Sequence, residues 1–233
     1  MSLGLFITGT DTEVGKTVVT AALAAALAKR GLRVGVMKPA ESGCPSLEGR
    51  LMPQDALFLK AMSGCTAPLE LINPYAFVPP LTPALAAEMA GVAIEIDHIR
   101  ACYRQLAATH DIVLVEGAGG LLAPLTAELS MHDLATALDL PLLVVARNIL
   151  GVINHTALTV TVARQTVPVV GIVLNNNHPT DQQAEQTNAE SLRRWGRAPL
   201  LGQFPYIPSL ERDQLSSLGE AIDIDGLLSS LRG

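Results

Sequence analysis

The stretch GTDTEVGKT, residues 9–17, contains residue types that could bind a phosphorylated ligand. A glycine-rich turn between a strand and a helix directs backbone N–H groups and the positive end of the helix dipole toward one point, which suits phosphate. Lys16 would reach the outer phosphates, and the Thr17 hydroxyl would hold Mg²⁺. Five residues separate Gly9 from Gly15, one more than in the common phosphate-binding loop. The spacing predicts a phosphate-binding loop that has been enlarged by one residue.

A second candidate lies in the segment DIVLVEGAGG, residues 111–120. Four apolar residues lead to Glu116 at the end of a predicted strand, which is the edge where open α/β sheets bind ligands. Mg²⁺ prefers oxygen ligands that are shared between carboxylates and phosphates, so Glu116 is a candidate metal ligand. Gly117 and Gly119, on either side of Ala118, would let the backbone approach a ligand closely. The alternative is an acidic helix cap with a flexible turn.

Further polar side chains stand where other predicted elements begin or end. Lys38 follows the second predicted strand and could join Lys16 around one γ-phosphate, where two ammonium groups would stabilise phosphoryl transfer. An exposed surface lysine is the alternative. Asp55 begins a helix-like run, either as a helix cap or as a third side chain of the metal site. Asn175 and Asn176 follow another strand, where their amides would read a purine edge or form an Asx turn.

Short apolar runs alternate with longer helix-like stretches, which is the pattern of a doubly wound, mostly parallel sheet. A helix is predicted over 18–30, and a short amphipathic helix over 214–233. Segment 41–53 reads as a loop, and the five prolines of segment 68–83 exclude a regular helix there. The predicted strands cover residues 3–8, 33–37, 112–115, 140–146, 169–174 and 200–204. We expect an α/β fold of the P-loop NTPase type, with helices on both faces and a single domain over residues 1–233.

Composition and charge exclude several classes of protein. Hydrophobic residues make up 49% of the chain and aromatic residues 3%, which fits helices packed on a parallel sheet. The net charge of −6 argues against binding nucleic acid or an anionic membrane. The cysteines and histidines lack metal-ligand spacing, so we expect reduced thiols and no thiol-based metal site. Without a signal peptide or a membrane-spanning apolar run, the chain is predicted to be cytoplasmic.

In ordered blocks across nearly the whole chain, these motifs resemble those of the dethiobiotin synthetase family. The enlarged loop is the most specific of them, since that family also carries five residues between its glycines. The other blocks are KPAESG at 38–43, DA at 55–56, NPYAF at 73–77, VLVEGAGG at 113–120, LGVINH at 150–155 and APLLGQFPYI at 198–207.

The resemblance implies an ATP-dependent ligase that closes the ureido ring of dethiobiotin from 7,8-diaminopelargonate and CO₂ or bicarbonate. One amine would take up CO₂ as a carbamate, which would attack the γ-phosphate of MgATP to give a carbamic–phosphoric anhydride and ADP. The neighbouring amine would then close the ring and expel phosphate. The resemblance also implies a homodimer with its substrate site at the subunit interface.

The resemblance implies a role for each matching position. Lys16 and Lys38 would be catalytic and would steady the carbamate and the transferring phosphoryl group, while Thr12 and Ser42 would touch the diamine. The substrate's carboxylate tail would contact partner-subunit residues Gly151, Val152, Ile153 and Asn154. Mg²⁺ would lie among Thr17, Asp55 and Glu116. The nucleotide would contact Glu13, Val14, Gly15, Lys16, Thr17, Val18, Asp55, Glu116, Gly117, Ala118, Gly119, Asn175, Asn176, Pro205, Tyr206, Ile207 and Glu211. The family often has an acidic residue where Asn176 stands, so nucleotide selectivity stays open.

Two other classes share the predicted fold. A cobyrinic-acid amidotransferase carries a further glutamine-hydrolysing domain, for which 233 residues leave no room. A partition or division-site ATPase carries an extra lysine early in its loop, and residues 11–12 offer none. Such switch proteins also tend to have a membrane-binding tail or a basic DNA-binding face, and neither is evident. A module that only binds nucleotide does not explain Lys38 and Ser42.

Overall fold

The computed structural model describes residues 2–178, 183–207 and 212–232 of the chain. The strands in these ranges are β1 (Leu3–Gly9), β2 (Val34–Met37), β3 (Ala40–Glu41), β4 (Ser46–Leu47), β5 (Arg50–Leu51), β6 (Tyr75–Ala76), β7 (Ile112–Gly120), β8 (Leu142–Arg147), β9 (Val169–Asn175) and β10 (Leu200–Phe204). The helices are α1 (Lys16–Lys29), α2 (Gln54–Ser63), α3 (Leu69–Ile72), α4 (Pro83–Ala90), α5 (Ile96–Thr109), α6 (Met131–Ala137), α7 (Val152–Ala163), α8 (Gln183–Trp195), α9 (Arg212–Gly219) and α10 (Ile224–Arg232).

Six strands form one sheet in the order β10–β9–β8–β1–β7–β2, and every neighbouring pair is parallel. These are the six strands predicted from the apolar runs. After β1 the chain first builds the β2 side of the sheet, and from β8 onward it builds the opposite side. Ligand crevices in open α/β sheets lie outside the carboxyl ends of the strands at such a reversal. Ile7 of β1 is in register with Glu116 of β7, so both strands reach this edge together.

Helices cover both faces of the sheet, as predicted for a doubly wound fold. Leu5 and Ile7 of β1 belong to the core under α1, α2, α9 and α10, whereas Phe6 packs into the core under α4 to α8. The alternation follows from the two-residue period of a strand. Because both faces are buried, the strands read as continuous apolar runs in the sequence.

The predicted tail helix over 214–233 is wrong, because α9 and α10 are separate helices. Between them, Ile222 forms an antiparallel bridge with Gly202, and the Asp223 N–H donates to the Leu201 carbonyl. These contacts require an extended backbone, which ends the helix. None of the helices in the described ranges is long and apolar enough to cross a membrane.

The proline-rich segment 68–83 contains only the short α3 and β6, and α4 begins at its last proline. Proline is tolerated in the first turn of a helix because that N–H has no intrahelical partner. Segment 41–53, predicted as a loop, carries the short antiparallel pair β4–β5. Strand β6 pairs with β3 next to Lys38, so the proline-rich segment buttresses the turn that follows β2.

Candidate nucleotide and phosphoryl-transfer site

A cleft of about 440 Å³ opens at the carboxyl edge of β1, β2 and β7. Its lining residues are Thr12, Glu13, Gly15, Lys16, Thr17, Val18, Lys38, Glu41, Ser42, Asp55, Glu116, Ala118, Gly119 and Asn177. Most of the predicted phosphate, metal and catalytic residues therefore surround one space, together with the predicted diamine residues Thr12 and Ser42. Val14 and Gly117 lie behind the surface, where both are buried.

The loop between β1 and α1 has the backbone of a phosphate cradle. Glu13 and Gly15 both take left-handed conformations, with φ of 53° and 92°. A Cβ atom at Gly15 would also clash with the Asn175 amide, so glycine is required for space as well as for conformation. Helix α1 begins directly at Lys16, which places its unpaired N–H groups at the cleft.

Two asparagines at the end of β9, separated by one residue, hold this loop from behind. Asn175 Nδ2 donates to the Val14 carbonyl at 2.9 Å, and Asn177 Nδ2 donates to the Glu13 carbonyl at 2.7 Å. Asn177 was not among the residues predicted from the sequence. Its only signal was the NNN run after a strand, because the partner carbonyls lie over 160 residues away in the chain.

Asn176, between them, belongs to a different group of amides. Its Oδ1 accepts a hydrogen bond from Asn148 Nδ2 at 2.7 Å, and Asn148 Oδ1 accepts from Asn188 Nδ2 at 2.8 Å. The Asn176 side chain is thus held by the segment after β8 and by α8, not by the phosphate loop. Contact of Asn175 and Asn176 with a purine base stays a prediction.

Lys38 bridges two carboxylates at the centre of the cleft. Its Nζ lies 2.7 Å from Asp55 Oδ2 and 2.7 Å from Glu116 Oε1. Thr17 Oγ1 donates to the same Glu116 oxygen at 2.8 Å. The exposed fractions of the Lys38 and Glu116 side chains are 5% and 0%. The alternatives of a surface lysine at Lys38 and of a helix cap at Glu116 are therefore wrong.

The two lysines of the cleft have opposite pKa shifts. Burial, followed by the positive charge of Lys38, lowers the pKa of Lys16 to about 8. Burial acts in the same direction on Lys38, but the charges of Glu116 and Asp55 outweigh it and raise the pKa of Lys38 above its usual value. Lys38 thus stays charged, whereas Lys16, whose Nζ donates to the Asp11 carbonyl at 3.1 Å, titrates close to physiological pH.

The proline-rich segment holds the backbone of Lys38. The Lys38 N–H donates to the Ile72 carbonyl and Asn73 Nδ2 donates to the Lys38 carbonyl, both at 2.7 Å. Asn73 is buried and belongs to the NPYAF block. These contacts explain how a lysine after a strand end is kept pointing into a cleft.

Glu41 positions Asp55, and it was not among the residues predicted from the sequence. Its two carboxylate oxygens accept hydrogen bonds from the backbone N–H groups of Asp55 and Ala56, at 2.9 and 3.0 Å. Glu41 thus satisfies the first turn of α2, which has no cap from Pro53. The helix-cap alternative for Asp55 is wrong, since Asp55 is in the first turn and faces Lys38. Burial raises the pKa of the Glu41 carboxyl.

The chemistry of the donor set at the predicted metal site fits Mg²⁺. Glu116 Oε2 is buried and has no hydrogen-bond partner in the described part of the chain. Thr17 Oγ1 contacts the other Glu116 oxygen, and Asp55 lines the same cleft. Hard oxygen donors of this kind suit Mg²⁺. Within the described ranges, no group of three or more His, Cys, Asp or Glu could hold a metal by itself. Phosphate and water oxygens would complete the coordination.

Other predicted site residues lie away from the cleft. Gly151, Ile153 and Asn154 line a separate groove of about 700 Å³ at the start of α7, with Val152 buried behind them. Pro205 and Tyr206, directly after β10, are exposed, and Ile207 packs partly on the core under α1. Glu211 lies outside the described residues.

Comparison with known proteins shows the family to which the chain belongs. A family model described as an AAA domain matches residues 3–214. A dethiobiotin synthetase of Anaeromyxobacter dehalogenans (strain 2CP-C) is 48% identical, over 90% of this chain and 92% of its own length. The dethiobiotin synthetase of Thermodesulfovibrio yellowstonii is 37% identical over 98% of this chain and 100% of its own length. That of Bacillus subtilis (strain 168) is also 37% identical, over 90% of this chain and 90% of its own length. The chain belongs to the ATP-dependent dethiobiotin synthetase family. The family and the enzyme class predicted from the motifs are confirmed.

Solved structures of similar fold come from other functional classes. A ParA family ATPase from Chlorobium tepidum TLS has a TM-score of 0.57 at 12% identity, over 97% of this chain and 99% of its own. The MinC:MinD cell division protein complex of Aquifex aeolicus includes a chain with a TM-score of 0.57 at 17% identity. The match covers 98% of this chain and 96% of that one. At such low identity these likenesses concern the fold alone, and they confirm the predicted P-loop α/β class.

Proposed function

We propose that the chain makes dethiobiotin from 7,8-diaminopelargonate, CO₂ and ATP, and releases ADP and phosphate. The observation that carries the proposal is that Lys16, Lys38, Thr12 and Ser42 line the same cleft. The partition and division-site switches carry their extra lysine early in the phosphate loop, whereas here the second lysine, Lys38, follows β2 and is buried in the cleft. The names of the relatives reported above support the same reaction.

The reaction proceeds in three steps. One amine of the substrate adds to CO₂ and loses a proton, which gives a carbamate. A carbamate oxygen then attacks the γ-phosphorus, and the bond to ADP breaks, which leaves a carbamic–phosphoric anhydride. The second amine attacks the carbonyl carbon and loses a proton, and phosphate departs as the ring closes.

The two lysines stabilise the charges of these steps. The carbamate and the triphosphate are both anionic, so bringing them together is opposed by their repulsion. Lys38 supplies a permanent positive charge, and Lys16 gains a strong partner when phosphate arrives. Electrostatic stabilisation of this kind supplies most of the catalysis in phosphoryl transfer. Thr12 and Ser42 orient the diamine and its carbamate.

The phosphates and Mg²⁺ occupy the loop side of the cleft. Residues 13–18 wrap the phosphates, with the turn 117–119 opposite them. Thr17, Asp55 and Glu116 hold Mg²⁺, which neutralises phosphate charge when it is bound. Asn175, Asn176 and residues 205–207 contact the adenosine end of ATP.

The substrate site is completed by a second copy of the chain. Gly151, Ile153 and Asn154 line a groove separate from the cleft, so they reach a diamine in the cleft only from a partner subunit. Large apolar side chains beside this groove support such an interface, since Leu150, Leu158 and Trp195 are 78%, 58% and 51% exposed. We therefore propose a homodimer.

The remaining expectations concern the setting of the reaction. Cys44, Cys65 and Cys102 are free thiols, which supports the reducing cytoplasm as its place. Helices drawn from most of the chain cover one sheet, which supports a single ligase domain over residues 1–233.

The decisive experiment supplies purified protein with the diamine, bicarbonate and MgATP. We expect dethiobiotin by mass spectrometry and one ADP for each ring that is closed. Omitting the diamine is the control, and ADP release should then fall to background. Steady ADP release that ignores the diamine, with no dethiobiotin formed, would instead favour a nucleotide switch.

A further inference from the structure

A second cavity lies at the opposite end of the sheet from the nucleotide cleft. It measures about 720 Å³ and is formed by the end of α2, the end of α5 and the start of β2. Cys65 and His110 both line it, and neither has a part in the proposed reaction. A cavity of this size is in the range that takes small-molecule ligands.

The thiol and the imidazole are paired. Cys65 Sγ lies 3.5 Å from His110 Nε2, and His110 Nδ1 lies 2.8 Å from the Leu106 carbonyl oxygen. A carbonyl can only accept, so Nδ1 carries a hydrogen. In the neutral ring Nε2 is therefore unprotonated and faces the thiol. The ring is seated over β2, where a Cβ atom at Gly35 would come within 3.1 Å of His110 Cγ.

The imidazole is held in place to accept the thiol proton. His110 is the C-cap residue of α5, and its Nε2 is the ring nitrogen that faces Cys65 Sγ. The charged groups around the cavity include Arg33, which lines it, and Asp111, next to His110 in the chain. Arg33 and Asp111 form an ion pair with each other, so their charges largely cancel. Lys60 of α2 is also close, and its Nζ donates to the carbonyl of Ala67, another lining residue. A thiolate beside an imidazolium is the usual arrangement of a reactive cysteine.

The other two cysteines lack this arrangement. Burial raises the pKa of the Cys44 thiol to about 11, and its Sγ donates to the Glu41 carbonyl. Burial also raises the pKa of the Cys102 thiol, whose nearest imidazole nitrogen, Nε2 of His98, is 3.9 Å away. Both are therefore internal controls for the reactivity of Cys65.

We propose that Cys65 is a thiol-modification site that reacts with low-molecular-weight disulfides. The Cys65 proton passes to His110 Nε2, and the thiolate attacks one sulfur of the incoming disulfide. The disulfide bond breaks as the new sulfur–sulfur bond forms, and the departing thiolate takes the proton from His110. The incoming disulfide is the only oxidant required, and the cavity holds the group that remains attached.

The test uses the full chain in its native state with Ellman's reagent as the disulfide. We expect one thiol per chain to react at least about tenfold faster than the other two. Cys65→Ser should remove the fast phase, while Cys102→Ser should leave it unchanged. His110→Gln should slow it by about tenfold, because the proton acceptor is lost. Glutathione disulfide should then add one glutathionyl group, on the peptide that contains Cys65.

The wild-type protein provides a readout that does not depend on the folding of any variant. Peptide mapping of the wild-type protein after a brief treatment should find the label on the peptide that contains Cys65. A first label on Cys44 or Cys102 would overturn the proposal. So would three thiols of equal rate, or a fast phase that survives in Cys65→Ser.

Discussion

Lys38 Nζ and Glu116 Oε1 lie 2.7 Å apart, although 78 residues separate the two positions in the chain. Lys38 directly follows β2, Glu116 lies within the neighbouring strand β7, and both side chains are buried. A buried ion pair is costly to form and more costly to break on one side. The pair fixes the Glu116 carboxylate in the cleft, next to the Thr17 hydroxyl.

Removing the ammonium group of Lys38 should destabilise the fold as well as abolish turnover. Lys38→Met leaves the Glu116 carboxylate buried without its partner, which costs about 3–5 kcal/mol of unfolding free energy. The double variant Lys38→Met/Glu116→Gln should recover most of that loss. Urea unfolding with a constant m value measures both.

The control for this prediction is an ion pair on the surface. Lys29 pairs with Glu220, and both side chains are more than half exposed, so Lys29→Met should cost at most about 1 kcal/mol. Equal losses in the Lys38 and Lys29 variants would contradict a buried, structurally important pair. Wild-type turnover in Lys38→Met would remove Lys38 from the mechanism.

The affinity for ATP should fall as the pH rises through about 8, the pKa of Lys16. The protonated lysine attracts phosphate, and bound phosphate in turn raises its pKa. Below pH 8 the ammonium group is already present, whereas above it binding must first take up a proton. Calorimetric titration across pH 7 to 9.5 should therefore show both weaker binding and proton uptake at the higher values.

Two variants separate Lys16 from other titrating groups. Lys16→Met should bind ATP weakly, without a pH dependence in this window. Lys16→Arg keeps its charge throughout, so its affinity should also be level across the range. A decline near pH 8 that persists in Lys16→Arg would assign the effect to another group.

Loss of the Glu41 carboxylate should disturb the metal site through the position of Asp55. Glu41→Ala frees two N–H groups at the start of α2, and hydrogen bonds to a charged acceptor contribute about 1.5–3 kcal/mol each. We expect a higher Mg²⁺ concentration for half-maximal turnover. Glu48→Ala, at an exposed glutamate of the β4–β5 turn, is the matched control and should leave the Mg²⁺ requirement unchanged. A stability loss in Glu41→Ala with an unchanged Mg²⁺ requirement would restrict Glu41 to a structural role.

Mixing two defective variants should restore activity if the substrate site is shared between subunits. Lys16→Ala removes the phosphate contact, while Asn154→Asp places a negative charge where the substrate carboxylate is proposed to bind. In a mixed dimer one site has both the native Lys16 and the native Asn154. Random exchange in a two-fold dimer then gives about a quarter of wild-type activity.

The mixing experiment is read at a diamine concentration below KM, since Asn154→Asp should weaken substrate binding. Light scattering confirms the dimer, and a tagged copy confirms that subunits exchange. Activity that stays at the sum of the two variants after exchange would place each site within one chain.

Local patterns in the sequence determined the elements and the class of protein. The six strands of the sheet are continuous apolar runs because both of their faces are buried. The enlarged loop is a contiguous motif. Both could therefore be identified without the tertiary structure. Lys16 and Thr17 could also be identified from the sequence, because their positions at the end of the loop direct their side chains towards the bound phosphates. Contact of Asn175 with the purine stays a prediction, and its hydrogen bond to the Val14 carbonyl was not foreseen.

Only the tertiary structure decided which side chains meet at the edge of the sheet. Lys38, Asp55 and Glu116 come from three separate elements. The parallel register of β2 and β7 brings Lys38 to Glu116, and the position of α2 brings Asp55 to Lys38. Glu41 and Asn177 were missed because their partners are backbone N–H and carbonyl groups, which leave no trace in the residue types. The break between α9 and α10 depends in the same way on a bridge to β10. Periodicity records which face of an element is buried, but contacts between distant segments depend on how the strands are ordered.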